Sequence, residues 1–247
     1  MSNVKKILLV LIVFTLNSGD ANASSLLRPD DFVGFSFWLI SMGCLAATAF
    51  FFLERNAVIE GWKTPITVAG IITGITFVHS LYLRNVWLAT GDIPTVYKYI
   101  EWLITMPLLA LQFYLILSSV KKVSSTIFWK LLLGTLIMVA GGYAGETGYI
   151  LPFLGFIIWM GGWLFILYEI FSGEAGKILF KSSNDNLISA FTAMRLIVTV
   201  GWAVYPLGYV FGYLTGGFDS SFLNVIYNFA DFINKIAFGI IIWVAAK

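Results

Sequence analysis

Lys235 stands where an ammonium group is expensive, inside the apolar stretch YNFADFINKIAFGIIIWVAA near the end of the 247-residue chain. A charge near the centre of a bilayer costs on the order of 3 kcal/mol or more, so an ionisable residue there is read first as a functional one. Asp231 precedes it by one helical turn, and positions i and i+4 share a helix face. A lysine beside a carboxylate on a buried face suits a positively charged adduct held against its counter-ion. A protonated Schiff base to an aldehyde is the leading candidate. A structural ion pair is the alternative.

The stretch TVYKYIEWLITMPLLALQFYLILSS carries the next set of candidates. Lys98, Glu101, Thr105 and Gln112 recur at a spacing that keeps them on one helical face. Gln112 lies about 16 Å beyond Glu101 at ~1.5 Å per residue. A carboxylate at Glu101 needs a partner inside the protein, and Lys98, Lys235 and His79 are available. Lys98, nearer the helix end, can instead snorkel to water. His79, in ITFVHSLYLRNVW, falls at a depth that matches Glu101. It reads either as a satisfied core histidine or as the partner of that carboxylate. Trp102, Trp163, Trp202 and Tyr205 fall at middle depths of different apolar stretches. They could be bundle core or, with an inward lysine, a box around a long conjugated chain.

These residues require a membrane scaffold. The chain is 59% hydrophobic and 11% charged, where a soluble domain is about half apolar and a quarter charged. Aromatic residues make up 17%, enough for an aromatic interior as well as interfacial belts. No basic cluster suggests nucleic acid, and a single His and a single Cys exclude a multi-histidine or CxxC metal site. Cys44 reads as a small core residue.

Residues 1–23 read as a cleaved signal peptide: Lys5 and Lys6, an apolar core from Ile7 to Leu16, and Ala21-Asn22-Ala23 as the cleavage site. Residues 24–247 then form one seven-helix membrane domain. Its expected spans run Phe32 to Leu53, Thr64 to Trp87, Thr95 to Ser119, Thr126 to Ala144, Leu151 to Phe171, Leu187 to Leu214, and Ser221 to Ala246. The fold class is therefore an all-α seven-transmembrane-helix bundle, with the N-terminus outside and the C-terminus cytoplasmic. Arg55, Lys63, Lys121, Lys122, Lys130, Lys177, Lys181 and Lys247 fall at the ends this topology places in the cytoplasm, against Arg28 and Arg84 outside. That distribution obeys the positive-inside rule. Three further charges are read as solvated or snorkelling: Glu146, Glu169 and Arg195.

The stretches DFINKIAFG, GWAVYPLGY and YIEWLITMPLL make the chain resemble the microbial rhodopsins, specifically the proteorhodopsin group, over essentially its whole length. The resemblance implies all-trans retinal as a protonated Schiff base on Lys235. It also implies Glu101 as proton acceptor and primary counter-ion, Asp231 as second counter-ion, and His79 as the partner of the first. Trp102, Trp163, Trp202, Tyr205 and Pro206 match pocket positions, and Leu109 matches a position where leucine accompanies green absorption. The family moves ions through a lipid bilayer rather than transforming a substrate, so no enzyme activity is expected. A bacterial inner-membrane location and a ring-like homo-oligomer, a pentamer or hexamer, are implied as well.

Three departures from the family pattern bear on mechanism. Glu101 replaces an aspartate, lengthening the acceptor by one methylene. Lys98 replaces an arginine and so lacks the planar fork that grips carboxylates. Gln112 replaces an acidic proton donor, and an amide gives up no proton. Re-protonation must then come through water from the cytoplasm, which slows the cycle. The expected function is a light-driven outward proton pump with a slow photocycle, the alternative being a sensory photoreceptor with little net transport. Anion or sodium pumping fits less well. An ionised Glu101 would repel a nearby anion by several kcal/mol at an effective dielectric of about 20, and Glu101 with Thr105 does not match the related sodium pumps.

Overall fold

The computed structural model describes Arg28 and residues 30–247; the expected signal peptide lies outside these residues. Seven helical segments are long and apolar enough to cross a membrane: Phe32–Ala57, Glu60–Thr90, Thr95–Val120, Ser125–Glu146, Pro152–Phe180, Asp185–Leu214 and Ser220–Ala246. They are numbered below as the first to seventh spans. The expected boundaries hold to within four residues, except that the fifth span runs on to Phe180 rather than ending at Phe171. No strand occurs among the described residues. An apolar layer offers no water to unpaired backbone groups, so helices satisfy them internally.

Helix ends are fixed by local chemistry. Asp31 caps the first helix by accepting from Gly34 N at 2.8 Å, and Trp87 Nε1 donates to the same carboxylate at 2.9 Å. That carboxylate therefore also ties the start of the first helix to the end of the second. Gly91, at φ 70°, closes the second helix with its N–H on Trp87 O at 2.7 Å. A side chain at that left-handed position would be strained. Asn184 and Asp219 cap the sixth and seventh spans through bonds of 2.8 Å to Leu187 N and Phe222 N.

Polar and apolar residues sort differently from a soluble protein. Trp129, Leu133, Phe153, Leu164 and Val244 are exposed on the flanks, whereas Ser36, Thr48, Thr73, Glu101, Asn228, Asp231 and Lys235 are buried within. Inside, polar groups join helices: Thr48 Oγ1 donates to Thr73 Oγ1 at 2.8 Å. The fourth and fifth spans approach through glycines, and a Cβ built on Gly155 would stand 2.6 Å from Gly145 Cα. Such close backbone approach is how helices associate where no hydrophobic driving force separates them from lipid.

Two features were not legible as uninterrupted spans. The fifth ends its long helix at Phe171, and a short helix, Glu174–Phe180, follows within the expected linker. Glu169 Oε1 accepts Ala175 N at 3.0 Å and holds that turn. The sixth span contains two π-helical segments, Ile197–Gly201 and Val210–Leu214, flanking Val204–Tyr209 with its Pro206. Proline lacks an N–H, and wide turns misalign the ladder, so carbonyls are released. Neighbouring helices take them up: Trp163 Nε1 donates to Val198 O at 2.9 Å, and Asn234 Nδ2 to Gly201 O at 3.1 Å.

Candidate functional site

The seventh helix presents Lys235 inward, and the residue is 1% exposed. Its ammonium contacts Glu101 Oε1 of the third span and stands 3.3 Å from Asp231 Oδ1 one turn earlier. Asp231 also accepts Tyr205 Oη at 2.6 Å and Trp102 Nε1 at 3.2 Å. Glu101 takes Thr76 Oγ1 at 2.5 Å, with Thr105 Oγ1 at 3.2 Å from its carbonyl and 3.5 Å from its carboxylate. Each carboxylate thus holds an ammonium and at least one hydroxyl or indole donor. Such satisfaction is what makes a buried charge tolerable, since an unpaired one costs several kcal/mol.

Lys98 does not snorkel as one reading allowed. It is 2% exposed, and Nζ donates to Asn228 Oδ1 at 2.6 Å while lying 5.3 Å from the Phe37 ring centroid. Asn228 passes the contact on, its Nδ2 donating to Ser36 Oγ at 2.9 Å. Two buried ammoniums, Lys98 and Lys235, therefore share the interior with two carboxylates, Glu101 and Asp231, so formal charge balances. A compact ammonium has three donors to place where a guanidinium has five, and Asn228 takes one of them.

His79 is only half-buried, and Nε2 meets Tyr97 O at 3.1 Å. The expected direct hydrogen bond to Glu101 is absent here; Thr76, one turn earlier on the same face, makes that contact instead. His79 and Glu101 nonetheless line one cleft between the second and third spans. Gln112 lies apart from the charged group. It is fully buried, with Nε2 donating to Pro65 O at 3.0 Å and Oε1 without a partner among the described residues.

The aromatic candidates surround the lysine-bearing interior. Trp102, Leu109, Trp163, Trp202 and Tyr205 belong to one continuous apolar cluster, and Pro206 is buried beside Tyr205. Trp102 packs edge-on against Tyr205 and Tyr227, with centroids 5.2 and 5.4 Å apart. Trp202 is 1% exposed, and its Nε1 is without a hydrogen-bond partner among the described residues. A buried primary amine, carboxylates to balance a cation, and flat ring walls suit a conjugated aldehyde bound through its carbonyl carbon. The residues present therefore fit retinal.

Thr76, Asn228 and Ser36 were not anticipated. Asn228 and Asn224 do precede Asp231 and Lys235 at helical spacing, a polar stripe that could have signalled the first. The three charges read as solvated or snorkelling also behave differently. Glu146 accepts Tyr99 Oη at 2.7 Å and Thr95 Oγ1 at 3.4 Å. Glu169 is 1% exposed and lies 3.3 Å from Lys130. The Arg195 guanidinium is half-buried, donating to Ile170 O and stacking on Phe171 and Phe191 at 4.7 and 4.9 Å. In each case a partner sits closer than bulk water, which removes the reason to reach outward.

Comparison with known proteins places this geometry. The family model described as bacteriorhodopsin-like protein matches residues 31–247. The blue-light absorbing proteorhodopsin of Gamma-proteobacterium Hot 75m4 is 51% identical, the match covering 98% of this chain and 97% of that one. The green-light absorbing proteorhodopsin of Gamma-proteobacterium EBAC31A08 is 47% identical, with 97% and 94% covered. Among solved structures, a blue light-absorbing proteorhodopsin from Med12 superposes with a TM-score of 0.76 at 47% identity, over 87% of this chain and 98% of that one. The chain belongs to the bacteriorhodopsin-like family.

Proposed function

We propose that this chain binds all-trans retinal covalently at Lys235 and uses light to move protons outward across a bacterial inner membrane. The observation that carries the reading is the buried contact of Lys235 Nζ with Glu101, with Asp231 Oδ1 3.3 Å away. Retinal, when bound, supplies light absorption and a change of shape at the lysine nitrogen. The protein's own groups do the rest. Glu101 is the acceptor for the proton at that nitrogen, because its carboxylate already touches it. Asp231, held by Tyr205 and Trp102, stays a fixed counter-charge. Lys98 balances the pair from the outer side, positioned by Asn228. Leu109 favours green absorption.

Return of the proton is the slow leg. Gln112 holds no exchangeable acidic proton, and its amide is committed to Pro65 O. Water must then carry the proton from the lysine-rich end. This observation also supports the second reading, a photosensor whose signalling intermediate lasts long enough to be read. Cells expressing the protein with retinal separate the two. Sustained light-driven acidification of the medium, abolished by a protonophore, is the expected result. No pH change together with a long-lived intermediate would replace pumping with sensing. A cleaved N-terminal signal, the orientation with the N-terminus outside, and a pentameric or hexameric ring complete the proposal.

A further inference from the structure

The lysine-rich end of the bundle carries a cleft of about 470 Å³ where the turn after the third span, the start of the fourth and the short helix Glu174–Phe180 meet. Its walls include Lys121, Lys130, Lys177 and Lys181, with Glu169 and Glu174. The charges do not cancel. Lys130 engages both acids, at 3.3 Å from Glu169 and 3.6 Å from Glu174. Among the described residues no carboxylate pairs with Lys121, Lys177 or Lys181. Four ammoniums therefore face two carboxylates in one polar cleft, which leaves two positive charges without a counter-charge there.

A second, apolar groove of about 600 Å³ runs down the lipid-facing side of the fourth and fifth spans, walled by Trp129, Leu133, Gly134, Gly161 and Phe165. Lys130 lines both spaces, so the polar cleft and the apolar groove adjoin at that residue. Phe180, 92% exposed beside Lys181, adds an aromatic side chain at the same level. Basic pockets between helices at the cytoplasmic face suit anionic lipid headgroups. A free anion would use the cleft and leave the groove unexplained.

We infer that this joined cleft and groove form a binding site for an anionic phospholipid. Its phosphodiester lies among Lys121, Lys177 and Lys181, and one acyl chain lies along Gly161. The site is independent of the pigment and of the direction of ion movement. It gives the short helix at the end of the fifth span a role, since Lys177 lies on it and Lys181 follows directly at its C-terminal end.

Gly161 provides the discriminating variant. A Cβ built there meets nothing within 4 Å, so Gly161→Leu fills the groove without disturbing the helix pair. The purified full-length protein is titrated with dioleoylphosphatidylglycerol, dioleoylphosphatidylcholine or inorganic phosphate and examined by native mass spectrometry, with circular dichroism to verify folding. Phosphatidylglycerol is expected to bind in preference to phosphatidylcholine. Removing three lysines that each contribute about fivefold gives about a 100-fold loss for Lys121→Gln/Lys177→Gln/Lys181→Gln. Gly161→Leu is expected to weaken phosphatidylglycerol at least tenfold while leaving phosphate binding unchanged. Equal binding of the two lipids overturns the proposal. So does an unaltered affinity in Gly161→Leu, which would mark a site for small anions alone and needs no triple variant to be read.

Discussion

Gln112 Nε2 donates to Pro65 O at 3.0 Å, joining the third span to the first turn of the second at the lysine-rich end of the bundle. Its Oε1, equally buried, has no hydrogen-bond partner among the described residues. The position is thus half a clasp between two helices and half an unmet acceptor, and a carboxylic acid there would alter both halves. Gln112→Glu places an exchangeable proton about 16 Å from Glu101 along the helix. Re-protonation at Lys235 is expected to quicken at least tenfold, about 1.4 kcal/mol off the barrier. Flash photolysis reads this directly, and unchanged decay of the deprotonated intermediate would mean that water entry, not a missing donor, sets the rate.

Removing the amine tests the pigment assignment. Lys235→Ala leaves Glu101 and Asp231 without their shared ammonium, and it deletes the amine that the reading requires. The variant is expected to stay colourless with added retinal. Colour surviving at wild-type intensity, or a linkage mapped by peptide analysis to Lys98, would remove the basis of the proposed function.

Lys98 supplies the second buried positive charge. Lys98→Met keeps the volume but leaves two carboxylates against one ammonium and strips Asn228 Oδ1 of its donor. Breaking a buried pair in this way costs about 3–5 kcal/mol, so the visible band is expected to bleach roughly 10 °C lower, at 2–4 °C per kcal/mol for a chain of this size. Lys122→Met, at an exposed position outside the lysine cleft, is the matched control and should shift bleaching by no more than a degree or two. Equal shifts in the two variants would show that Lys98 contributes nothing to the charge balance.

The scaffold was legible because its physics is one-dimensional. Long apolar runs broken by charged turns state both the number of spans and, closely, their ends. The core of the site was legible for the same reason: Lys235 and Asp231 lie one turn apart on one helix, and Glu101 is the acid on the third span's polar face. What escaped depends on pairings between helices, which periodicity does not encode. Asn228 meets Lys98 across 130 residues of chain, and Thr76 rather than His79 reaches Glu101 because their side chains diverge by a turn. The π-helical segments of the sixth span escaped too, since they follow from how Trp163 and Asn234 take up released carbonyls, not from local propensity.

Thr76 then offers a test of the counter-ion itself. Its hydroxyl donates to Glu101 Oε1, the same oxygen that Lys235 contacts. A donated hydrogen bond draws electron density from that oxygen and weakens its hold on the neighbouring cation. Thr76→Val keeps the branched shape, which the helix accepts, and removes only the donor. The carboxylate should then stabilise positive charge at the lysine nitrogen more strongly in the ground state than after excitation, which moves charge away from that nitrogen. The gap widens and absorption moves to shorter wavelength. A net hydrogen bond is worth about 1 kcal/mol, which corresponds to about 10 nm in the green. A shift to longer wavelength, or none, would place the operative counter-charge on Asp231, whose donors Tyr205 and Trp102 are untouched by the substitution.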